Sequence, residues 1–225
     1  MGIPILIIGR SGSGKSASMR GMEEFGLINV IGKPLTFPQQ TPIRAAVTDD
    51  YAAVSKILRN AKCPSVVIDD AGYLITNYFM THHSSAGAGN GVFSLYNKLA
   101  DQFWSLLRLI STELPPERIV YLMMQEDVDE TGAAKPRTIG RLLDEKVCIE
   151  GMVSVLLRCV CENGVHKFLT NGDGIEKSPI GMFEHAEIPN DLALVDAAVR
   201  AYWGLACPAG NEEVGNEAAQ GNGLA

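Results

Sequence analysis

Three groups of residues have the types and spacing to do chemistry. The first is Gly9-Arg10-Ser11-Gly12-Ser13-Gly14-Lys15-Ser16, followed by Ala17, which fits G-x-x-x-x-G-K-[ST]. The backbone N–H groups of such a loop point inward and cradle an anion. A helix starting at Ser16 would add the partial positive charge of its N-terminus. Lys15 is long enough to reach β- and γ-phosphates, and the Ser16 hydroxyl is a hard oxygen ligand for Mg²⁺. Residues Gly9 to Ala17 therefore imply a site for a nucleoside triphosphate.

The second group, Asp69-Asp70, closes the apolar run Ser65-Val66-Val67-Ile68. A buried strand ending in this way delivers Asp69 to the cleft beside the phosphate loop, where it holds Mg²⁺ through its water shell. Neighbouring strand residues point to opposite faces, but a turn at the strand's end can bring Asp70 into the cleft as well. The third group is Gln125-Glu126, at the tip of the apolar run Arg118 to Met124. Gln125 is placed to touch the γ-phosphate or the attacking water. Asp70 and Glu126 are both candidates for the acid that orients that water, and the sequence leaves the choice open.

The positioning elements follow from the apolar pattern. Ile3 to Ile8 reads as a buried strand, and Ser16 to Phe25 as a helix. Leu27 to Ile31 and Pro34 to Phe37 read as a second strand region turning at Gly32-Lys33. Asp49 to Asn60 reads as a helix, with Tyr51, Val54, Ile57 and Leu58 on one face. Thr81 to Gly91 is small and polar, a loop that could also line a pore. Val92 to Glu113 carries the clearest apolar stripe, from Val92 and Leu95 to Ile110, and Pro115-Pro116 stops it. Asp127 to Lys135 is a turn-rich loop, and Thr138 to Val147 a short helix. Met152 to Cys161 and Val165 to Thr170 read as strands joined by the hairpin signal Asn163-Gly164. A loop from Asn171 to Phe183 carries Lys177, and Asp191 to Tyr202 is a final amphipathic helix capped by Pro189-Asn190.

The expected whole is α/β, with one domain over 1–207 and a disordered acidic tail over 208–225. The net charge of −7 includes −5 from His185 onward, where six acids face one base, Arg200. That balance argues against tight non-specific DNA binding by a monomer. Lys135, Arg137, Arg141 and Lys146 are the basic cluster outside the phosphate loop. No apolar run is long enough to span a membrane and no signal peptide is evident, so a cytoplasmic location is expected. The five cysteines are scattered, which suits reduced thiols. His82-His83 reads as part of a solvated loop.

The chain resembles the phage-encoded RecA-like P-loop ATPases, a family of phage ATP-binding proteins some of which act in single-strand annealing or recombination. The likeness covers roughly Ile3 to Trp203. It rests on IIGRSGSGKSASMR, INVIGKPLTF, VVIDDAGYLITNYFM, RTIGRLLDEKVCIEGM and FLTNGDGIEKSPIGMF. It implies a RecA-like core with a mainly parallel sheet, a C-terminal β-hairpin and a terminal helix, and ATP with Mg²⁺ shared between subunits of a ring or filament. It also implies single-stranded DNA and phage recombination or replication proteins as partners. The family tends to carry a His-Thr-Glu-like sequence where this chain has Gln125-Glu126. The KSP loop holds Lys177 alone, which becomes the candidate to reach a neighbouring subunit's γ-phosphate. Two other functions fit a phosphate loop. One is a non-catalytic nucleotide switch, such as a helicase loader or adaptor. The other is a small-molecule or nucleoside kinase, although Asp127 to Lys146 offers only Arg137 and Arg141 for an arginine-rich lid.

Overall fold

The computed structural model describes residues 1–38, 43–87 and 89–206, and of Asp144 and Glu145 the backbone alone. Strand β1 (Ile3–Gly9) is buried on both faces. Leu6 and Ile8 enter one apolar core, and Ile5 and Ile7 enter the other. That two-sided burial explains the continuous apolar run, since a strand covered on one side would alternate with polar residues. Each such side chain removed from water contributes about 1.5–3 kcal/mol.

β1 lies mid-sheet. On one side it pairs in parallel with β5 (Ile119–Val128), which is followed by β4 (Ser65–Asp69), β2 (Phe25–Asn29) and β3 (Arg44–Val47), all parallel. On the other side it pairs in parallel with β7 (Val155–Glu162), and β8 (Val165–Leu169) and β9 (Glu187–Pro189) then extend the sheet antiparallel. β6 (Ala134–Pro136) folds back on the end of β5 as a hairpin. Helices α1 (Tyr51–Asn60), α2 (Gly72–His82) and α3 (Asn90–Glu113) contribute to the core containing Leu6. Helix α4 (Leu192–Trp203) packs in the core containing Ile5. The expected α/β architecture, mainly parallel with a C-terminal hairpin and a terminal helix, is the observed one.

Several elements differ from their sequence expectation. The segment after the phosphate loop is a 3-10 helix of six residues, Ser16–Gly21, and Phe25 already belongs to β2. Gly21 lies so close to the Asp191 carboxylate that a Cβ would fall 2.9 Å from Oδ1, and Met22 is extended. So short a helix carries little macrodipole, so an anion at this loop would be held by loop amides and Lys15. Residues 34–37 form no strand; β2 lies between β4 and β3. α2 carries the chain through His82, so the expected loop begins later, and β5 continues through Glu126. His82 and His83 stack on Tyr78 and Phe79 at the end of α2. Residues 142–147 form a π-helical turn rather than an α-helix. The cap of α4 is Asp191, which accepts from Ala193 N–H at 3.0 Å. The tail expected over 208–225 lies outside the described residues. Among the described residues no helix is long and apolar enough to cross a membrane.

Candidate functional site

The loop after β1, the ends of β4 and β5, and the turn after β2 meet at the carboxyl edge of the parallel sheet, the edge at which open α/β sheets bind ligands. Gly14 adopts φ +104°, and a Cβ there would sit 2.9 Å from the His166 ring. Only glycine combines that backbone with that approach. The C-terminal hairpin braces the loop from behind. Cys159 Sγ donates to the Ser13 carbonyl at 3.2 Å, His166 Nδ1 lies 2.7 Å from the same oxygen, and Asn190 Nδ2 donates to Cys159 Sγ at 3.1 Å. Burial pushes the Cys159 thiol above its ordinary value, so it behaves as a neutral packing group.

Lys15 is 5% exposed and folds back over the loop. Its ammonium donates to the carbonyls of Gly9 at 2.7 Å and Arg10 at 2.9 Å, and to Gln125 Oε1 at 3.4 Å. Burial lowers its pKa, against the opposing charges of Asp70 and Asp69. A desolvated cation held only by neutral oxygens is a ready partner for phosphate. Gln125 is thereby brought to the loop.

Ser16 and Asp69, the expected metal pair, also meet: Ser16 Oγ donates to Asp69 Oδ1 at 2.9 Å. Asp69 Oδ2 is buried and has no hydrogen-bond partner among the described residues. Burial and the neighbouring Asp70 charge raise the Asp69 pKa, while the Ser16 bond, Lys33 and Lys15 pull it back. A buried carboxylate with one oxygen unused, next to a hydroxyl, is a donor set that fits a hard divalent cation keeping most of its water.

Asp70 takes φ +59°, a left-handed turn uncommon for a residue with a side chain. It directs the buried Asp70 carboxylate to an ion pair with Lys33, which the sequence reading did not single out. Glu126 is buried and held by two arginines. Arg158 reaches it from β7 through Nε at 2.8 Å and Nη2 at 3.2 Å, and Arg10 through Nε at 3.1 Å. The Glu126 hydrogen bond raises the Arg158 pKa further, against its partial burial. Arg10 is otherwise exposed, and Ser11 and Gly12 face solvent at the open side of the loop. Lys177 lies apart from this cluster's direct contacts. Its backbone N–H and carbonyl exchange hydrogen bonds with Leu156 at 2.9 and 2.8 Å, which fixes the KSP loop beside β7. Arg158 had a visible signal, a cation in the otherwise apolar run VLLRCVC beside the phosphate-loop strand. Lys33, His166 and Asn190 reach the site only through tertiary packing.

No family model matches the chain, and no curated protein does. Among the solved structures, 73 chains match. One is an ATPase from the type III secretion system of pathogenic bacteria, at 14% identity and a TM-score of 0.44, covering 72% of this chain and 52% of that one. The chain thus spans about half the length of that neighbour.

Proposed function

We propose that this protein is a P-loop ATPase of RecA-like type, hydrolysing ATP with Mg²⁺. The observation that carries the reading is the convergence of Lys15, Ser16, Asp69 and Gln125 at the ends of β1, β4 and β5. Gly9 to Ala17 would wrap the phosphates, with Lys15 exchanging the Gly9 and Arg10 carbonyls for phosphate oxygens. Ser16 and Asp69 would hold the metal, whose charge offsets that developing on the phosphates. Asp70 is the acid we assign to the attacking water, because Glu126 is clamped by two arginines whereas Asp70 is paired with the single, half-exposed Lys33. Water oxygen bonds to the γ-phosphorus as the bond to the β,γ-bridging oxygen breaks. The proton passes to Asp70, and ADP and inorganic phosphate leave.

The finer reading is an oligomeric, phage-type ATPase acting on single-stranded DNA in recombination or replication. It is supported by the sequence resemblance, and it assigns Lys177 to a neighbouring subunit's γ-phosphate. One specific observation favours a second reading. Both candidate water-activating carboxylates are ion-paired to cations, which suits a nucleotide switch such as a helicase loader or adaptor. The deciding experiment measures ATP binding, ATP turnover with and without single-stranded DNA, and mass in solution, for the wild type and Lys15→Ala. Unchanged ATP affinity in Lys15→Ala overturns the site. Tight binding without turnover selects the switch.

A further inference from the structure

We propose that Lys33 is a γ-phosphate-binding residue, which neutralises Asp70 in the nucleotide-free protein and exchanges that carboxylate for the terminal phosphate when a nucleoside triphosphate enters. This inference rests on the reading of the phosphate loop and Asp70 given above.

Lys33 is placed by a built turn. Asn29, the last residue of β2, is buried, and its side chain closes the turn from both ends. Its Nδ2 donates to the Lys33 carbonyl at 2.7 Å, and its Oδ1 accepts from Gly32 N–H at 2.9 Å. Gly32 supplies the left-handed residue of that turn, at φ +67°. Val30, directly after Asn29, donates its N–H to the Asp69 carbonyl at 3.2 Å, tying the turn to the end of the strand that presents the carboxylates. The backbone of Lys33 is thus fixed while its side chain is 39% exposed and reaches inward to Asp70. A four-carbon arm with three donors can change acceptor without moving the backbone.

Charge explains why a second cation belongs there. Lys33 lies close enough to interact electrostatically with Asp70, Asp69 and Lys15. The two ammonium groups of Lys15 and Lys33 match the two carboxylates of Asp69 and Asp70, while Glu126 has its own counter-charges in Arg10 and Arg158. Without Lys33 the Asp70 carboxylate would stand without an ion-pair partner where the terminal phosphate of a triphosphate enters. Asp70 is buried and its left-handed backbone is held on the Lys33 side. Withdrawal of the ammonium towards the γ-phosphate frees that carboxylate to accept the water's proton at the moment its substrate is in place. ADP has no γ-phosphate and leaves the Lys33–Asp70 pair closed.

The test compares wild type, Lys33→Met, Lys33→Arg and Asp70→Asn. Titration calorimetry gives ATP and ADP affinities in Mg²⁺, and phosphate release gives turnover. Lys33→Met is expected to keep ADP affinity within about twofold and to lose about tenfold in ATP affinity, the loss of one charge-assisted hydrogen bond. Lys33→Arg should restore most of the preference for ATP over ADP. Asp70→Asn should keep that preference while losing turnover, which separates phosphate contact from a purely structural ion pair. An unchanged ratio of ATP to ADP affinity in a folded Lys33→Met protein overturns the proposal. So does an equal loss of the ratio in Asp70→Asn. If the wild type binds neither nucleotide, the phosphate-loop reading fails first, and this inference falls with it.

Discussion

Asp196 offers a stringent check on how the platform beneath the site is held. One carboxylate oxygen accepts from Ser65 Oγ at 2.5 Å and from Tyr121 OH at 2.9 Å, and the other from Arg200 Nε at 2.6 Å. These bonds join α4 to β4 and β5. Arg200 is 1% exposed and also donates to Ser65 Oγ at 2.8 Å and to the carbonyl of Ala206 at 3.1 Å. In Asp196→Ala the guanidinium keeps those neutral acceptors and loses its counter-charge. Removing one partner of a buried pair costs about 3–5 kcal/mol. The two hydroxyls lose about 1 kcal/mol each, partly overlapping that figure. We expect a loss of about 4 kcal/mol, or roughly 8–16 °C in Tm for a chain of this size. Trp203, at the end of α4, supplies a fluorescence probe for urea unfolding, with circular dichroism as the second signal. The double variant Asp196→Leu with Arg200→Met should return to within about 2 kcal/mol of wild type, since apolar replacements remove both charges together. A loss below about 1 kcal/mol in Asp196→Ala, at unchanged m, would refute the reasoning.

Lys15→Met should hold its Tm within about 2 °C of wild type at pH 7, because the lost hydrogen bonds are offset by relief of a desolvated charge. Burial lowers the folded-state pKa of Lys15, so the penalty is present at neutral pH and fades as pH rises through that depressed value towards the ordinary lysine range. Any stabilisation by Lys15→Met should therefore shrink in alkaline buffer, and an increase would contradict it. Asp69→Asn and Ser16→Ala should each weaken Mg²⁺-dependent stabilisation by nucleotide in a melting assay; full retention by both would remove the metal assignment. Glu126→Gln should lower stability by about 1–3 kcal/mol through the arginine clamp and spare turnover more than Asp70→Asn does. The reverse ranking of the two turnover rates would exchange their roles.

The parts legible in the sequence were those with a local cause. The run Ile3 to Ile8, the stripe of α3 and the Asn163-Gly164 hairpin each carry their own signal. α2 was hidden because Gly72–His82 is apolar around most of its circumference rather than along one face. β3 is short and its residues are mostly exposed, so no buried alternation marked it. The helix expected over 16–25 failed because Met19, Met22 and Phe25 fall at helical spacing, yet the chain leaves the 3-10 helix at Gly21 to begin β2. The loop motif pointed directly at Lys15 and Ser16. The other members of the cluster, Arg158 and Lys33 on the carboxylates and His166 on the Ser13 carbonyl, are separated from it along the chain, and strand order brings them together.

The central place of β1 also sets an order of manufacture. Ile3 pairs with Ile119 on one side, and Ile5 pairs with Val155 on the other. At about 5–20 residues per second, a ribosome needs on the order of 10 s to make β5 after β1 has been made. During that interval the apolar segment Ile3 to Ile8 has neither sheet neighbour, and folding waits on contacts between distant segments. A nascent chain of this kind is a natural client for chaperones that hold short apolar stretches. The phosphate loop is the earliest part of the site to be synthesised and among the last to be fixed in place.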